Sequence, residues 1–103
     1  MHKIRLTPDV AFFNYLPITV YDMTSGEPRK RCKIRAEFAK VDVENLKAKG
    51  MNFEQAMDHY RDWLYNVIKI YIADDWQYES GEAEVMGIIA EHVKPYYEVD
   101  AKA

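Results

Sequence analysis

Cysteine is almost absent. Cys32 is the single one, so no internal disulfide can form and no thiolate zinc site can be assembled. A reducing, cytoplasmic setting is the simplest expectation. Glycine and proline are also scarce, at four each. Gly26, Gly50, Gly81 and Gly87 are too scattered for a loop that cradles phosphate. No apolar run approaches the roughly 18 residues of a membrane span. Met1-His2-Lys3-Ile4-Arg5 is not followed by the apolar stretch of a signal peptide. There is no His-Glu-x-x-His pair, internal repeat or low-complexity segment, and no bound metal or cofactor is expected.

What is present is aromatic and charged. Among 103 residues stand eight Tyr, four Phe and two Trp. That length fits one domain over 1–103, too short for a barrel enzyme or a doubly wound nucleotide fold. Fourteen aromatics exceed what so small a core encloses, and Tyr and Trp left at the surface suit protein interfaces. The net charge of −3 argues against a protein that coats DNA indiscriminately. The charges are unevenly placed: residues 1–50 hold ten basic and six acidic side chains, whereas 73–103 hold two and eight.

Along the chain, Ile4-Arg5-Leu6 alternates like a short edge strand. Thr7-Pro8-Asp9 has the composition of a helix start, so 1–17 is expected as a short strand and helix or as an aromatic arm. Ile18 to Tyr21 favours strand, and 24–28 favours a loop. Cys32, Ile34, Ala36 and Phe38 alternate with Lys33, Arg35 and Glu37, as in a half-buried strand. Residues 41–49 fit either a short helix or a continued strand. Asn52 and Gln55 resemble a capping box. Behind them Phe53, Met57, Tyr60, Leu64, Val67, Ile68 and Tyr71 form one helical stripe, predicting a helix from Phe53 to about Ala73. Trp76-Gln77-Tyr78-Glu79 is read as a connector. A last helix follows over 82–94, ended or kinked by Pro95, with 98–103 as a flexible tail. The expected fold is α+β: a two- or three-stranded antiparallel sheet packed against one long helix and a second, C-terminal helix.

Chemistry-bearing residues are few. His2 is terminal, and His59 sits beside Asp58 on the polar side of the long helix. His92 falls in phase with an apolar face, as a packed histidine or a pH-sensitive contact. Cys32 reads as a small buried hydrophobe. Asp74, Asp75 and Glu79 pair carboxylates around a loop, a pattern that solubilises as readily as it binds metal. The sharpest charge feature is 29–35, where Arg29, Lys30, Arg31, Lys33 and Arg35 place five basic residues in seven positions. In an unbroken strand Arg29, Arg31, Lys33 and Arg35 would form one ridge for phosphates or an acidic protein. No aromatic interleaves with it in sequence, so base stacking is not indicated there.

The leading expectation is a non-enzymatic interaction or regulatory protein, a homodimer included. Its anchors would be Trp63, Tyr65, Ile70, Ile72, Trp76 and Tyr78, with charged rims steering the partner. Size and acidity also suit inhibitors of host complexes carried by phages or mobile elements. A nucleic-acid-binding accessory protein using the basic hairpin is the first alternative. A small enzyme with a composite site between subunits is the second.

Overall fold

The computed structural model describes the backbone of residues 1–102 and the side chains through Glu98. Four strands form one sheet: β1 (His2–Pro8), β2 (Tyr15–Asp22), β3 (Arg29–Glu37) and β4 (Trp76–Ser80). Their order is β3-β2-β1-β4. The pairs β1–β2 and β2–β3 are antiparallel, and β1–β4 is parallel. Three helices complete the chain: α1 (Lys40–Ala48), α2 (Phe53–Tyr71) and α3 (Glu82–Lys102).

This corrects the expected architecture. The sheet has four strands and is mixed, and three helices pack on it. The stretch 76–79, read as a connector, belongs to β4. A parallel partner needs a long crossover, which α1 and α2 supply between β3 and β4. Trp76 and Tyr78 do alternate with Gln77 and Glu79, but five residues after a long helix give a weak strand signal. Ile4-Arg5-Leu6 lies inside the sheet, not at its edge, because β4 covers its far side. Residues 9–14 form no helix; they link β1 to β2.

Pro17 sits within β2 although it has no N–H for a ladder. Its carbonyl accepts a 2.9 Å hydrogen bond from the Asp9 amide. Carbonyl and nitrogen of a strand residue face the same side, so the missing donor faces the mouth of the β1–β2 loop and not β3.

Burial alternates along β2 with period two. Leu16, Ile18 and Val20 are fully buried, whereas Tyr15, Pro17, Thr19 and Tyr21 are not. Ile4 and Leu6 of β1 and Ala36 of β3 share the buried side. The helices therefore cover one face of the sheet and leave the other open. Val85, Ile89 and Val93 bring α3 onto the core, and Ala56, Met57, Tyr60, Leu64 and Ile68 bring α2.

The helix signals behave as their chemistry dictates. At the start of α2, Asn52 and Gln55 exchange two 2.9 Å hydrogen bonds, the reciprocal capping box. The Asp42 carboxylate accepts from the Ala39 amide at 3.0 Å and starts α1. The stripe predicted for α2 outruns its core: Tyr71 is in phase with Leu64 and Ile68, yet is 67% exposed. The last helix continues through Pro95. The tail expected over 98–103 has helical backbone to Lys102, and Ala103 lies outside the described residues. No helix among the described residues is long and apolar enough to cross a membrane.

Candidate binding face

The open face follows from strand register, since residues paired across a ladder point the same way. From β2 come Tyr15, Pro17, Thr19 and Tyr21. Their β3 partners are Glu37, Arg35, Lys33 and Lys30, respectively. On the other side of β2, Arg5 and Thr7 pair with Tyr21 and Thr19. Lys3 lies two residues before Arg5, so it faces the same way.

A β-bulge reshapes the basic ridge. The β2–β3 register slips after Val20, which pairs with Cys32, while Tyr21 pairs with Lys30 and Asp22 with Arg29. Arg31 is the extra residue. A bulge reverses the alternation of every side chain beyond it. Arg29, Arg31, Lys33 and Arg35 thus do not share a side, as an unbroken strand would require. Lys30 joins Lys33 and Arg35 on the open face. Arg29 goes to the helix side, and the Arg31 guanidinium lies 3.7 Å from Asp22.

Five basic side chains thus share the open face: Lys3, Arg5, Lys30, Lys33 and Arg35. Glu37 and Glu79 oppose them, and Arg5 is paired to Glu79 at 3.1 Å. Among the described residues, Lys3, Lys30, Lys33 and Arg35 have no carboxylate within ion-pair distance. Arg35 instead lies over the Tyr15 ring, 4.4 Å from its centroid. Phe12 stacks on the same tyrosine with centroids 4.7 Å apart. Beside it in the β1–β2 loop, Phe13 is 85% exposed. The aromatic interleaving absent from 29–35 is therefore supplied by β2 and its preceding loop. The signal that could have revealed this is the alternation of Tyr15, Pro17, Thr19 and Tyr21 opposite the basic strand.

Asp22 braces this face from behind. It is the one buried charged residue among those described, 5% exposed. Its carboxylate accepts from the Thr24 hydroxyl and, at 2.9 Å, from the Thr24 amide. His2 Nδ1 lies 2.9 Å from its other oxygen. Although terminal, His2 is thus tied into β1. The Thr24 hydroxyl, outweighing the opposing effect of burial and helped by the Thr24 amide and His2, lowers the Asp22 pKa to about 2. A carboxylate whose pKa falls on folding adds stability above its unfolded value near 3.8, and that contribution fades as pH falls toward 2. Asp22→Asn is expected to cost about 2 kcal/mol at pH 7, from about 1.4 kcal/mol per unit. It should also flatten the stability profile between pH 4 and 2. Urea melts across that range are the measurement, and parallel profiles for the two proteins would contradict the assignment.

The expected apolar anchors divide. Trp76 and Tyr78 face the helix layer and pack on the core. Their rings meet at 4.7 Å, and Trp76 approaches Tyr65 at 5.3 Å. The Trp76 Nε1 is buried without a hydrogen-bond partner. Trp63 and Ile72 are half-buried, whereas Tyr65 and Ile70 are exposed, Ile70 by 73%. His92 stacks on Phe38 at 4.6 Å, and its Nδ1 lies 2.9 Å from the Ile88 carbonyl oxygen. Cys32 is half-buried on the helix side, and burial raises its thiol pKa against the opposing charge of Arg31. Asp74 and Asp75 are exposed near the N-terminus. His59 and His92 lie on different helices and are not brought into one cluster. Among the described residues, no three His, Cys, Asp or Glu side chains are grouped to hold a metal.

Comparison with protein-family models, with curated proteins and with solved structures gives no significant match.

Proposed function

We propose that this chain is a binding protein that takes a single strand of nucleic acid across its open sheet face. The observation that carries the reading is the union, on the face no helix covers, of unpaired cations with Tyr21 and the neighbouring Phe13, beside a Tyr15 ring that Arg35 and Phe12 already cover. Lys30, Lys33, Arg35 and Lys3 hold backbone phosphates. The rings offer stacking platforms, which are sequence-tolerant because every base has a π-face. A duplex hides its bases from such platforms, so single strands are favoured. The acidic total is no obstacle: the acids concentrate in the helical layer, and charges beyond about 8 Å are largely screened at physiological salt.

Fluorescence anisotropy with a labelled oligonucleotide of about 12 nucleotides tests this. Binding should weaken with salt at a slope of about −2 to −3 in log K against log salt, from about 0.7 per phosphate contact. A matched duplex should bind more weakly. Absence of binding at low salt, or a slope near zero, removes the reading.

A second reading is favoured by the end of α2, where Ile70 and Tyr71 are exposed. Large apolar side chains left bare at one helix end suit a protein contact. Ile70→Lys should abolish any concentration-dependent association seen by sedimentation. A chain that is monomeric throughout and retains no protein partner counts against it.

A further inference from the structure

β3 is the last strand on its side of the sheet, and the free flank of an edge strand carries unpaired N–H and C=O groups. Which residues own that flank follows from the hydrogen bonds around it. Arg35 and Lys33 stand opposite Pro17 and Thr19, and the Pro17 carbonyl turns toward β1, where it meets the Asp9 amide. In an antiparallel ladder only alternate residue pairs exchange hydrogen bonds. The pairs made by Arg35 and Lys33 are thus the ones that do not, and their N–H and C=O groups point away from β2. Glu37 agrees with this phase, because its carbonyl accepts from the Tyr60 hydroxyl of α2 at 2.6 Å. Phe38, one residue on, donates its amide back to Asn14. Among the described residues, the backbone groups of Lys33 and Arg35 have no hydrogen-bond partner.

The flank is accessible and chemically marked. Lys33 and Arg35 are exposed, whereas Cys32 and Ile34, which alternate with them, are half-buried on the helix side and pack on the core. Near the C-terminal end of β3, α1 and α2 leave an open groove of about 260 Å³, so the helices do not close the edge. A strand added antiparallel here would set one residue opposite Lys33 and one opposite Arg35, with their side chains on the open face. The residue between them would lie opposite Ile34 and extend its apolar surface. Acidic residues suit the outer positions. Among the described residues Lys33 has no carboxylate within ion-pair distance, and five of the seven residues 29–35 are basic. Arg35, engaged over Tyr15, adds charge at longer range. A second copy of β3 suits the edge poorly, because like charges would face each other across the pair.

We infer that the free edge of β3 takes an extended segment of a partner protein in which acidic and apolar residues alternate, as an added antiparallel strand. Main-chain hydrogen bonds to Lys33 and Arg35 hold it. Its acidic side chains lie toward Lys33, and its apolar ones pack beside Ile34 and Cys32. The site adjoins the open face, but the inference does not rest on the single-strand reading.

Fluorescence anisotropy with a labelled peptide of about nine residues, alternating glutamate and valine, tests it. Saturable binding by the full chain is expected below about 1 mM. The glutamate N–H groups are the ones that reach β3. N-methylation of the glutamates should therefore weaken binding at least about tenfold, and N-methylation of the valines should change it little. Lys33→Gln removes one charge and should cost about threefold. Lys33→Pro also removes the outward N–H, which β2 does not use, and should cost about tenfold more. Circular dichroism of both variants should match wild type; if Lys33→Pro fails to fold, the methylated peptides still decide on the unaltered chain. Equal affinities for the two methylated peptides, or tighter binding of polyglutamate than of the alternating peptide, mean attraction to surface charge only and overturn the inference. A dimer in sedimentation that Lys33→Pro dissolves makes a second copy the occupant and overturns it too. A chain that binds oligonucleotide but not the peptide loses this inference and keeps the single-strand reading.

Discussion

Gly81→Ala is expected to destabilise the chain by about 3 kcal/mol or more. Gly81 joins β4 to α3 at φ +96°, a backbone conformation that favours glycine. A Cβ placed there would lie 1.9 Å from the Leu6 carbonyl oxygen and 2.8 Å from the Leu6 carbonyl carbon. Those are backbone atoms of a buried strand, so no side-chain rotation relieves the overlap. Either β4 and α3 withdraw from β1, or the β1 backbone bends. Gly26 is the control. It has φ +88° with nothing within 4 Å of an added Cβ, so Gly26→Ala should cost about 1 kcal/mol, from conformation alone. Asparagine separates the two causes, because it tolerates positive φ better than alanine. Gly26→Asn should recover most of the loss, and Gly81→Asn should recover little. Urea denaturation of the four variants decides it. Equal costs at positions 26 and 81 would mean that the β4–α3 junction does not press on Leu6.

Legibility followed how local each signal was. The capping box at Asn52 and Gln55, the stripe of α2 and the alternation of Cys32, Ile34 and Ala36 are short-range patterns, and each lies where its period places it. The extent of the sheet was not legible. β4 is five residues long, and its place beside β1 depends on a crossover through two helices. No local pattern encodes the parallel pairing of His2 with Trp76. The candidate face was half legible. Five basic residues in seven positions are plain in the sequence, but the bulge that turns Arg31 toward Asp22 arises from pairing with β2. The aromatic half of the face was read only as a surplus. Tyr15 and Tyr21 become neighbours of Arg35 and Lys30 only once β2 and β3 are in register. Trp76 and Tyr78 show the converse: their aromatic character suggested exposure, whereas their strand phase turns them to the helix side, where both are half-buried.

Lys33→Glu combined with Arg35→Glu is expected to weaken single-strand binding about a hundredfold near 0.1 M salt. It should also reduce the magnitude of the salt slope by about 1.4, from two phosphate contacts at about 0.7 each. Folding should survive, because both side chains are exposed and the Arg35–Tyr15 contact is worth about 1 kcal/mol at a surface. Tyr21→Ala should leave a different signature. Loss of one stacked base costs about 1–3 kcal/mol, roughly tenfold to a hundredfold, with the salt slope unchanged and with Tyr21→Phe close to wild type. Charge and stacking are thus separable on one face by salt titration of three variants. The bulge supplies the decisive comparison. Arg29 stands four positions before Lys33, so an unbroken strand would put both on one side, yet register places Arg29 opposite Asp22 on the helix side. Arg29→Glu changes net charge as much as Lys33→Glu alone, so a diffuse attraction to a basic hairpin would weaken equally in both. A strand lying on the open face loses much more from Lys33→Glu than from Arg29→Glu, and equal losses would refute that placement.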